Sequence, residues 1–155
     1  MRMAIAVFAS ISIISINGSS TTSGAGFGFS TGVVKLHTEQ NKKKVTLVYS
    51  LKNGYGIQKD GPHEISIYKI SKKKFSSKSG AKGIVQDGKL VKKLKPVKFS
   101  GWTAKADKDY FSKVKPVYIS VRAKKSEVYA VTSKIYYCSF SDKFCSVEVI
   151  EKILK

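Results

Sequence analysis

Apolar residues alternate with polar ones along much of the chain, and this period of two is the feature that most restricts its fold. Successive side chains of a β-strand point to opposite faces, so the alternation predicts strands with one buried face. The apolar members of these runs are Val45, Leu47, Tyr49, Leu51, Ile65, Ile67, Val117, Ile119, Val121, Tyr129, Val131, Ile135 and Tyr137. Val147 and Val149 continue the last run after Cys145.

Turn-forming sequences separate the alternating runs. They are Lys52-Asn53-Gly54, Asp60-Gly61-Pro62, Asp87-Gly88 and Lys124-Lys125-Ser126. No helical stripe of ten or more residues stands out, and residues 71–100 are predicted to be loop with one or two short strands, such as Lys89 to Leu94. Short strands with frequent turns indicate one all-β domain, an antiparallel sandwich or barrel.

The first thirty residues have the layout of an exported protein. Arg2 precedes an apolar stretch from Ala4 to Ile16, which is short and interrupted by serines. We therefore expect a secretory signal peptide over residues 1–23, with an uncertain cleavage point, then a flexible Gly/Ser-rich lead-in over 24–32 and the domain over 33–155. The alternative for the apolar stretch is an uncleaved anchor or a buried strand. Export would place the chain in a periplasmic or extracellular, oxidising compartment.

The chain is strongly basic, with 29 lysines and arginines against 10 acidic residues and a formal net charge of +19. Only Arg2 and Arg122 are arginine. Planar, bidentate reading of phosphate or guanine favours arginine, so sequence-specific nucleic-acid recognition is not expected. The lysine clusters fall between strand-like runs and are typical of solvated turns and protected sheet edges, with weak contact to an anionic surface as the alternative.

Most enzyme constellations are missing from the sequence. His37 and His63 have no cysteine or carboxylate at metal-ligand spacing, so no metal site is predicted and each is interpreted as an exposed or satisfied surface histidine. Residues 24–28 contain a Gly-x-Gly without a following lysine or helix, and no cofactor is expected. No serine-nucleophile elbow and no convincing carboxylate pair is present.

The two cysteines, Cys138 and Cys145, are separated by six residues in a stretch that reads as strand, short loop and strand. In an oxidising compartment such a pair can form a disulfide across a hairpin, worth about 2.5 kcal/mol in the chain-entropy treatment. A redox role requires a reachable sulfur and surroundings that favour a thiolate; Lys143 would favour one and Asp142 would oppose it. Spacing alone favours a structural bridge and leaves the redox role open.

Three stretches together resemble the N-terminal periplasmic domain of the DsbD family of thiol:disulfide interchange proteins. They are the strand and turn of residues 45–55, the acidic–aromatic residues 109–113, and the hairpin from Cys138 to Cys145. The resemblance implies an immunoglobulin-like β-sandwich that relays electrons to other exported proteins. It departs from the family in its six-residue loop between the cysteines and in lacking a proline-containing segment after the second one. A copy without the family's membrane and thioredoxin-like domains would need a separate electron donor.

The resemblance also implies residue roles. Cys138 and Cys145 would be the catalytic pair, and Asp109, Tyr110 and Phe111 would form a cap loop that closes over them. The alternative for the aromatic residues is ordinary packing at the end of the sandwich, and Phe144 is interpreted as a core residue of the hairpin.

The sequence therefore predicts an exported thiol–disulfide exchange or electron-relay module whose partner is an exported redox or envelope protein. The alternatives are a binding module with a structural disulfide and a basic surface for an anionic partner, or an accessory domain of an envelope assembly.

Overall fold

The computed structural model describes residues 31–41 and 43–154. The predicted signal peptide and most of the predicted lead-in lie outside the described residues. The strands are β1 Val34–Gln40, β2 Lys44–Leu51, β3 Tyr55–Gln58, β4 Glu64–Ser71, β5 Lys89–Leu94, β6 Gly101–Thr103, β7 Tyr110–Val114, β8 Val117–Ser120, β9 Glu127–Ser139 and β10 Cys145–Ile153, and the helix is α1 Gly80–Asp87.

The strands form two antiparallel sheets. The smaller sheet has the order β1-β2-β8, and the larger has the order β5-β4-β9-β3-β7-β6 with β10 added against β9. The alternating residues of both sheets point into one shared core, as two half-buried sheets require. The predicted all-β class and the antiparallel, sandwich-like arrangement of the sheets are confirmed.

The core follows the alternation of the sequence closely. Its fully or nearly fully buried members from the predicted runs are Val45, Leu47, Tyr49, Ile65, Ile67, Ile119, Val121, Tyr129, Val131, Ile135 and Tyr137. Burying each aliphatic side chain of this kind is worth about 1.5–3 kcal/mol. One polar link crosses the core, because the hydroxyl groups of Tyr49 and Ser133 are 2.7 Å apart. Burial raises the pKa of Tyr49, and the hydrogen bond to Ser133 opposes this only in part.

β9 is the central strand of the larger sheet and leads directly to the cysteines. β10 pairs along one of its edges, from Ala130 to Cys138. β4 and β3 share the other edge, with β4 beside the first half of β9 and β3 beside residues 137–139. The end of β9 is thus held from both sides, which fixes the backbone at Cys138.

The helix α1 was not predicted. Residues 80–87 contain two glycines and show no long apolar stripe, so sequence periodicity gave no helical signal. The helix forms where Ile84, which has no exposed surface, packs against β4, β9 and β10. Tertiary packing has therefore overridden weak local preference. The predicted short strand from Lys89 to Leu94 is present as β5, a lysine-rich edge strand.

The prediction that Val147 and Val149 continue the buried face is wrong. The register of β10 pairs Cys145 with Cys138, which puts Val147 and Val149 on the outer face of the sheet, where both are half-buried. The inward position between them is Glu148, which has no exposed surface. Its carboxylate accepts hydrogen bonds from the Thr31 hydroxyl at 2.5 Å and from the Gly32 amide at 3.3 Å.

Candidate functional site

The cysteines lie opposite each other at the end of the β9–β10 hairpin and form a disulfide. The amide of Ser139 donates to the carbonyl of Phe144 at 2.8 Å, so these two residues form a hydrogen-bonded pair. Hydrogen-bonded and non-hydrogen-bonded pairs alternate along an antiparallel ladder, and Cys138 and Cys145 therefore form a non-hydrogen-bonded pair. Their Cα atoms are 4.0 Å apart, as expected for the closer type of pair. The predicted pairing of the cysteines is confirmed.

The loop of the hairpin is ordered by its own side chains. The hydroxyl of Ser139 donates to a carboxylate oxygen of Asp142 at 2.8 Å and accepts the Asp142 amide at 3.3 Å. Lys143 has a φ of 49°, the left-handed conformation that closes many tight turns. The hydrogen bonds with Ser139 hold the Asp142 carboxylate within the loop. Lys143, by contrast, lines a cleft beside both cysteines.

The two cysteines differ sharply in exposure. Cys138 is only 4% exposed, although it lies on the outer face of the sheet. Cys145, on the neighbouring strand, is exposed. Of the two cysteines, Cys145 is thus the more accessible residue.

Tyr110 covers the buried cysteine. Its phenol oxygen is 3.2 Å from Sγ of Cys138 and 3.9 Å from Sγ of Cys145. A disulfide sulfur carries no hydrogen, so the phenol O–H is the donor in this contact. The Tyr110 ring also meets the ring of Phe140 edge to face, with centroids 5.8 Å apart. Tyr110 and Phe140 together, named here the aromatic cover, close one side of the disulfide.

The aromatic cover packs directly over a glycine, Gly56. Gly56 is the partner of Cys138 in the β3–β9 ladder. A Cβ at Gly56 would lie 2.6 Å from Cζ of Phe140 and 2.7 Å from Cβ of Tyr110, distances shorter than van der Waals contact. The absent side chain is therefore what allows both rings to approach the disulfide.

The other two residues of the predicted cap loop are placed differently. Phe111 points to the opposite face from Tyr110 and packs against the core, with the Lys59 ammonium 5.1 Å from its ring centroid. Asp109 is exposed, and its carbonyl accepts the Lys59 amide at 3.0 Å. The acidic side chain that lines the cleft beside the cysteines is Asp107, whose carboxylate accepts the Asp109 amide at 2.9 Å.

Two clefts flank the disulfide, and Cys145 lines both. The first, of about 320 Å³, lies beside the aromatic cover and includes Asp107 and Lys143. The second, of about 290 Å³, lies on the other side and is formed by Gln58, Tyr136 and Val147 with their neighbours. Phe144, predicted as a core residue, is 57% exposed, because it lies at the tip of the hairpin, just before β10 begins at Cys145.

His63 lies beneath the strand that forms part of the second cleft. The interpretation of His63 as a surface residue is wrong, because this residue has no exposed surface. Its Nδ1 accepts the amide of Tyr136 at 3.1 Å, so Nε2 carries the proton and donates to the carbonyl of Gln58 at 2.6 Å. Burial lowers the pKa of His63, and the hydrogen bond to Gln58 opposes this shift. The imidazole is therefore neutral and joins β9 to the end of β3. His37, by contrast, is exposed.

Other candidate sites are weaker within the described residues. A cavity of about 540 Å³ lies at the start of β9, at the other end of the strand from Cys138, and its rim includes Lys72, Lys124 and Lys125. No group of three or more metal-ligating side chains occurs among residues 31–41 and 43–154. In that same part of the chain, every helix is too short or too polar to cross a membrane.

Comparison of the chain with protein-family models, with curated proteins and with solved structures gave no match in any of the three.

Proposed function

We propose that the protein is an exported thiol–disulfide exchange module that uses the Cys138–Cys145 pair. The observation that carries this proposal is the unequal exposure of the two cysteines, with Cys145 exposed and Cys138 buried, its sulfur in contact with the Tyr110 hydroxyl. A bridge that serves only as a staple needs neither an accessible sulfur nor an aromatic cover. The resemblance of the hairpin and of Tyr110 to the DsbD N-terminal domain supports the same assignment.

The exchange proceeds in two displacements. In the reduced protein, the Cys145 thiolate attacks one sulfur of a partner disulfide, forms a mixed disulfide and releases the partner's other sulfur as a thiolate. The Cys138 thiolate then attacks Sγ of Cys145, which closes the intramolecular bridge and releases the partner's second thiolate. The pair loses two electrons and the partner gains them. The reverse sequence recharges the module from a separate dithiol donor.

Neighbouring groups favour this chemistry. The Tyr110 hydroxyl, 3.2 Å from Sγ of Cys138, can donate to the thiolate that forms when Cys145 is attacked. Hydrogen bonds to charged groups are worth about 1.5–3 kcal/mol, so this donor stabilises the reduced form. Lys143 lines the same cleft as both cysteines and adds positive charge to it.

A redox titration tests the proposal. Purified protein is equilibrated in glutathione buffers, acid-quenched, alkylated and weighed by mass spectrometry. An exchange module has a reduction potential in the glutathione range, whereas a purely structural bridge has one below about −300 mV. The double variant Cys138→Ser with Cys145→Ser is the companion measurement. Loss of exchange with a fold that survives supports the proposal, and a pair that stays oxidised in every buffer overturns it.

A second candidate function is a binding module for an acidic partner. It is favoured by exposed aromatic residues paired with lysines, since Trp102 is 54% exposed with the Lys113 ammonium 5.2 Å from its ring. Tyr118 is 58% exposed, and the Lys44 ammonium lies 3.6 Å from its ring centroid. Binding of this kind would weaken steeply as salt rises, and it would survive removal of both cysteines.

A further inference from the structure

The geometry of the disulfide fixes the side from which a partner must approach. A thiolate displaces one sulfur of a disulfide roughly along the S–S axis, from the side opposite the leaving sulfur. Cys138 is the leaving group when Cys145 is attacked, and it lies on the β9 side of Cys145. The attacking sulfur must therefore arrive from the side away from β9, which is the outer edge of β10.

Within the described part of the chain, no strand pairs with this edge of β10. The bond from Ser139 to Phe144 makes those residues a hydrogen-bonded pair, and the Phe140 amide donates in the opposite direction, to Gly54 at 2.9 Å. The alternation that these two bonds define turns the N–H and C=O groups of Cys145 and Val147 away from β9. Among the residues that the structure describes, β10 has β9 as its one ladder partner.

We propose that the outer edge of β10, from Cys145 to Val147, binds an extended segment of the redox partner as an added strand, with the partner's cysteine opposite Cys145. This inference rests on the proposed exchange function and names the form in which the partner is recognised. A residue added opposite Cys145 would form a hydrogen-bonded pair with Cα atoms about 5.5 Å apart. That spacing falls inside the range of about 4.4–6.8 Å that disulfides span, so strand pairing and mixed-disulfide formation are compatible.

The side chains at this edge define which segment fits. On an added strand, the residue two positions from the cysteine lies on the same face and opposite Val147. Val147 is half-buried and forms the second cleft with Tyr136, so an apolar side chain is favoured there. Lys143 beside Cys145 and the formal net charge of +19 favour acidic residues elsewhere in the segment. The partner is thus an acidic segment with a cysteine and an apolar residue two positions from it.

Synthetic peptides test strand addition on the unmodified protein. The probe is an acidic heptapeptide with cysteine at its fourth position and valine at its second and sixth, and 2-mercaptoethanol is the small-thiol reference. Two further peptides carry backbone N-methyl groups, one at the second and sixth residues and one at the third and fifth. N-methylation removes amide donors without changing side chains, and the two patterns block opposite edges of a strand. The rate of mixed-disulfide formation, corrected for thiolate fraction, is measured by acid quench and mass spectrometry.

A substitution in the protein itself provides an independent test of strand addition. Val147→Pro removes an amide that points away from β9, so the β9–β10 ladder keeps its bonds while the docking edge loses a donor. Val149→Pro removes an amide of the same orientation beyond the reach of a heptapeptide centred on Cys145, and it serves as the matched control. The rate with 2-mercaptoethanol shows that each variant keeps a reactive disulfide.

We expect the heptapeptide to react at least tenfold faster than 2-mercaptoethanol. N-methylation at the second and sixth residues, whose amides face β10 in this antiparallel register, and Val147→Pro should each remove most of that advantage. N-methylation at the third and fifth residues and Val149→Pro should leave it. If the small thiol reacts but the two N-methylated peptides behave alike, strand addition is refuted and the exchange function stands. If no thiol opens the bridge, the exchange function fails and this inference fails with it.

Discussion

Gly56 lies opposite Cys138 in the β3–β9 ladder, and the space that its missing side chain leaves is filled by the aromatic cover. Gly56→Ala would place a methyl group 2.7 Å from Cβ of Tyr110, an atom close to the backbone that cannot swing away. We expect a loss of about 1–3 kcal/mol in the free energy of unfolding, as for other overpacked sites. We also expect faster opening of the disulfide by a small thiol, because the cover is displaced from Cys138.

Both quantities are measured on the same protein, stability by urea denaturation and reactivity by thiol kinetics well below the urea midpoint. A variant that is destabilised while its disulfide reacts at the unchanged rate would show that the aromatic cover does not protect the sulfurs.

Tyr110→Phe isolates the hydroxyl of the cover from its ring. The ring contact with Phe140 is kept, but the donor 3.2 Å from Sγ of Cys138 is removed. If that donor stabilises the thiolate by about 1.5–3 kcal/mol, its loss lowers the reduction potential by about 30–60 mV. The change is measured by titration in glutathione buffers at pH 7. Tyr118→Phe, which alters an exposed phenol on the smaller sheet, should leave the potential unchanged, and equal potentials for all three proteins would exclude a role for the Tyr110 hydroxyl.

His63 should make stability depend on pH. Its pKa in the folded protein lies below the ordinary value of 6.5, because burial disfavours the charged imidazolium. The unfolded chain therefore binds more protons than the folded protein between the two pKa values, and stability falls as pH drops below 6.5. Above 6.5 both states are neutral at this residue and the contribution is complete.

The measurement is the urea midpoint between pH 7.5 and 5. His63→Gln removes the titrating group and should flatten this part of the profile, at the expense of some stability at neutral pH. His37→Gln, at an exposed histidine, should leave the slope in place. A slope that disappears in the His37 variant and persists in the His63 variant would contradict the assignment.

Local patterns in the sequence predicted the fold and the cysteine pair. The alternation at Val45–Leu51 and Tyr129–Tyr137 reports which face of a strand is buried, and a hairpin joins residues that are close in the chain. Tyr110 was identified through a resemblance to a known family. The same resemblance assigned Phe111 to the cap loop, although adjacent residues of a strand point to opposite faces. The exposure of Phe144 was not predicted, because it depends on where the loop ends and β10 begins and not on the hydrophobicity of the side chain.

The rest of the site depends on pairings between distant segments. Gly56 meets Cys138 across more than eighty residues of chain, and no local pattern predicts that register. Asp107 enters the site only because β7, which pairs with β3, brings the loop before it to the end of β9, whereas Phe140 belongs to the cysteine hairpin itself. Likewise, His63 can be buried because its two ring nitrogens form hydrogen bonds with the backbone of Gln58 and Tyr136. Tyr136 is remote in sequence, so this arrangement could not be predicted from local pattern.

The contact between Thr31 and Glu148 ties the start of the described chain to β10. The Thr31 hydroxyl donates to the buried carboxylate and is also 2.8 Å from the Tyr137 hydroxyl. Thr31→Val keeps the shape of the side chain but removes one hydrogen-bond donor from the buried carboxyl group of Glu148, so we expect a loss of about 1–3 kcal/mol in the free energy of unfolding. Thr31→Ser keeps the hydroxyl and should retain most of the stability. Both variants are compared by urea denaturation. Equal urea midpoints for Thr31→Val and Thr31→Ser would mean that the hydrogen bond from Thr31 to Glu148 does not stabilise the fold.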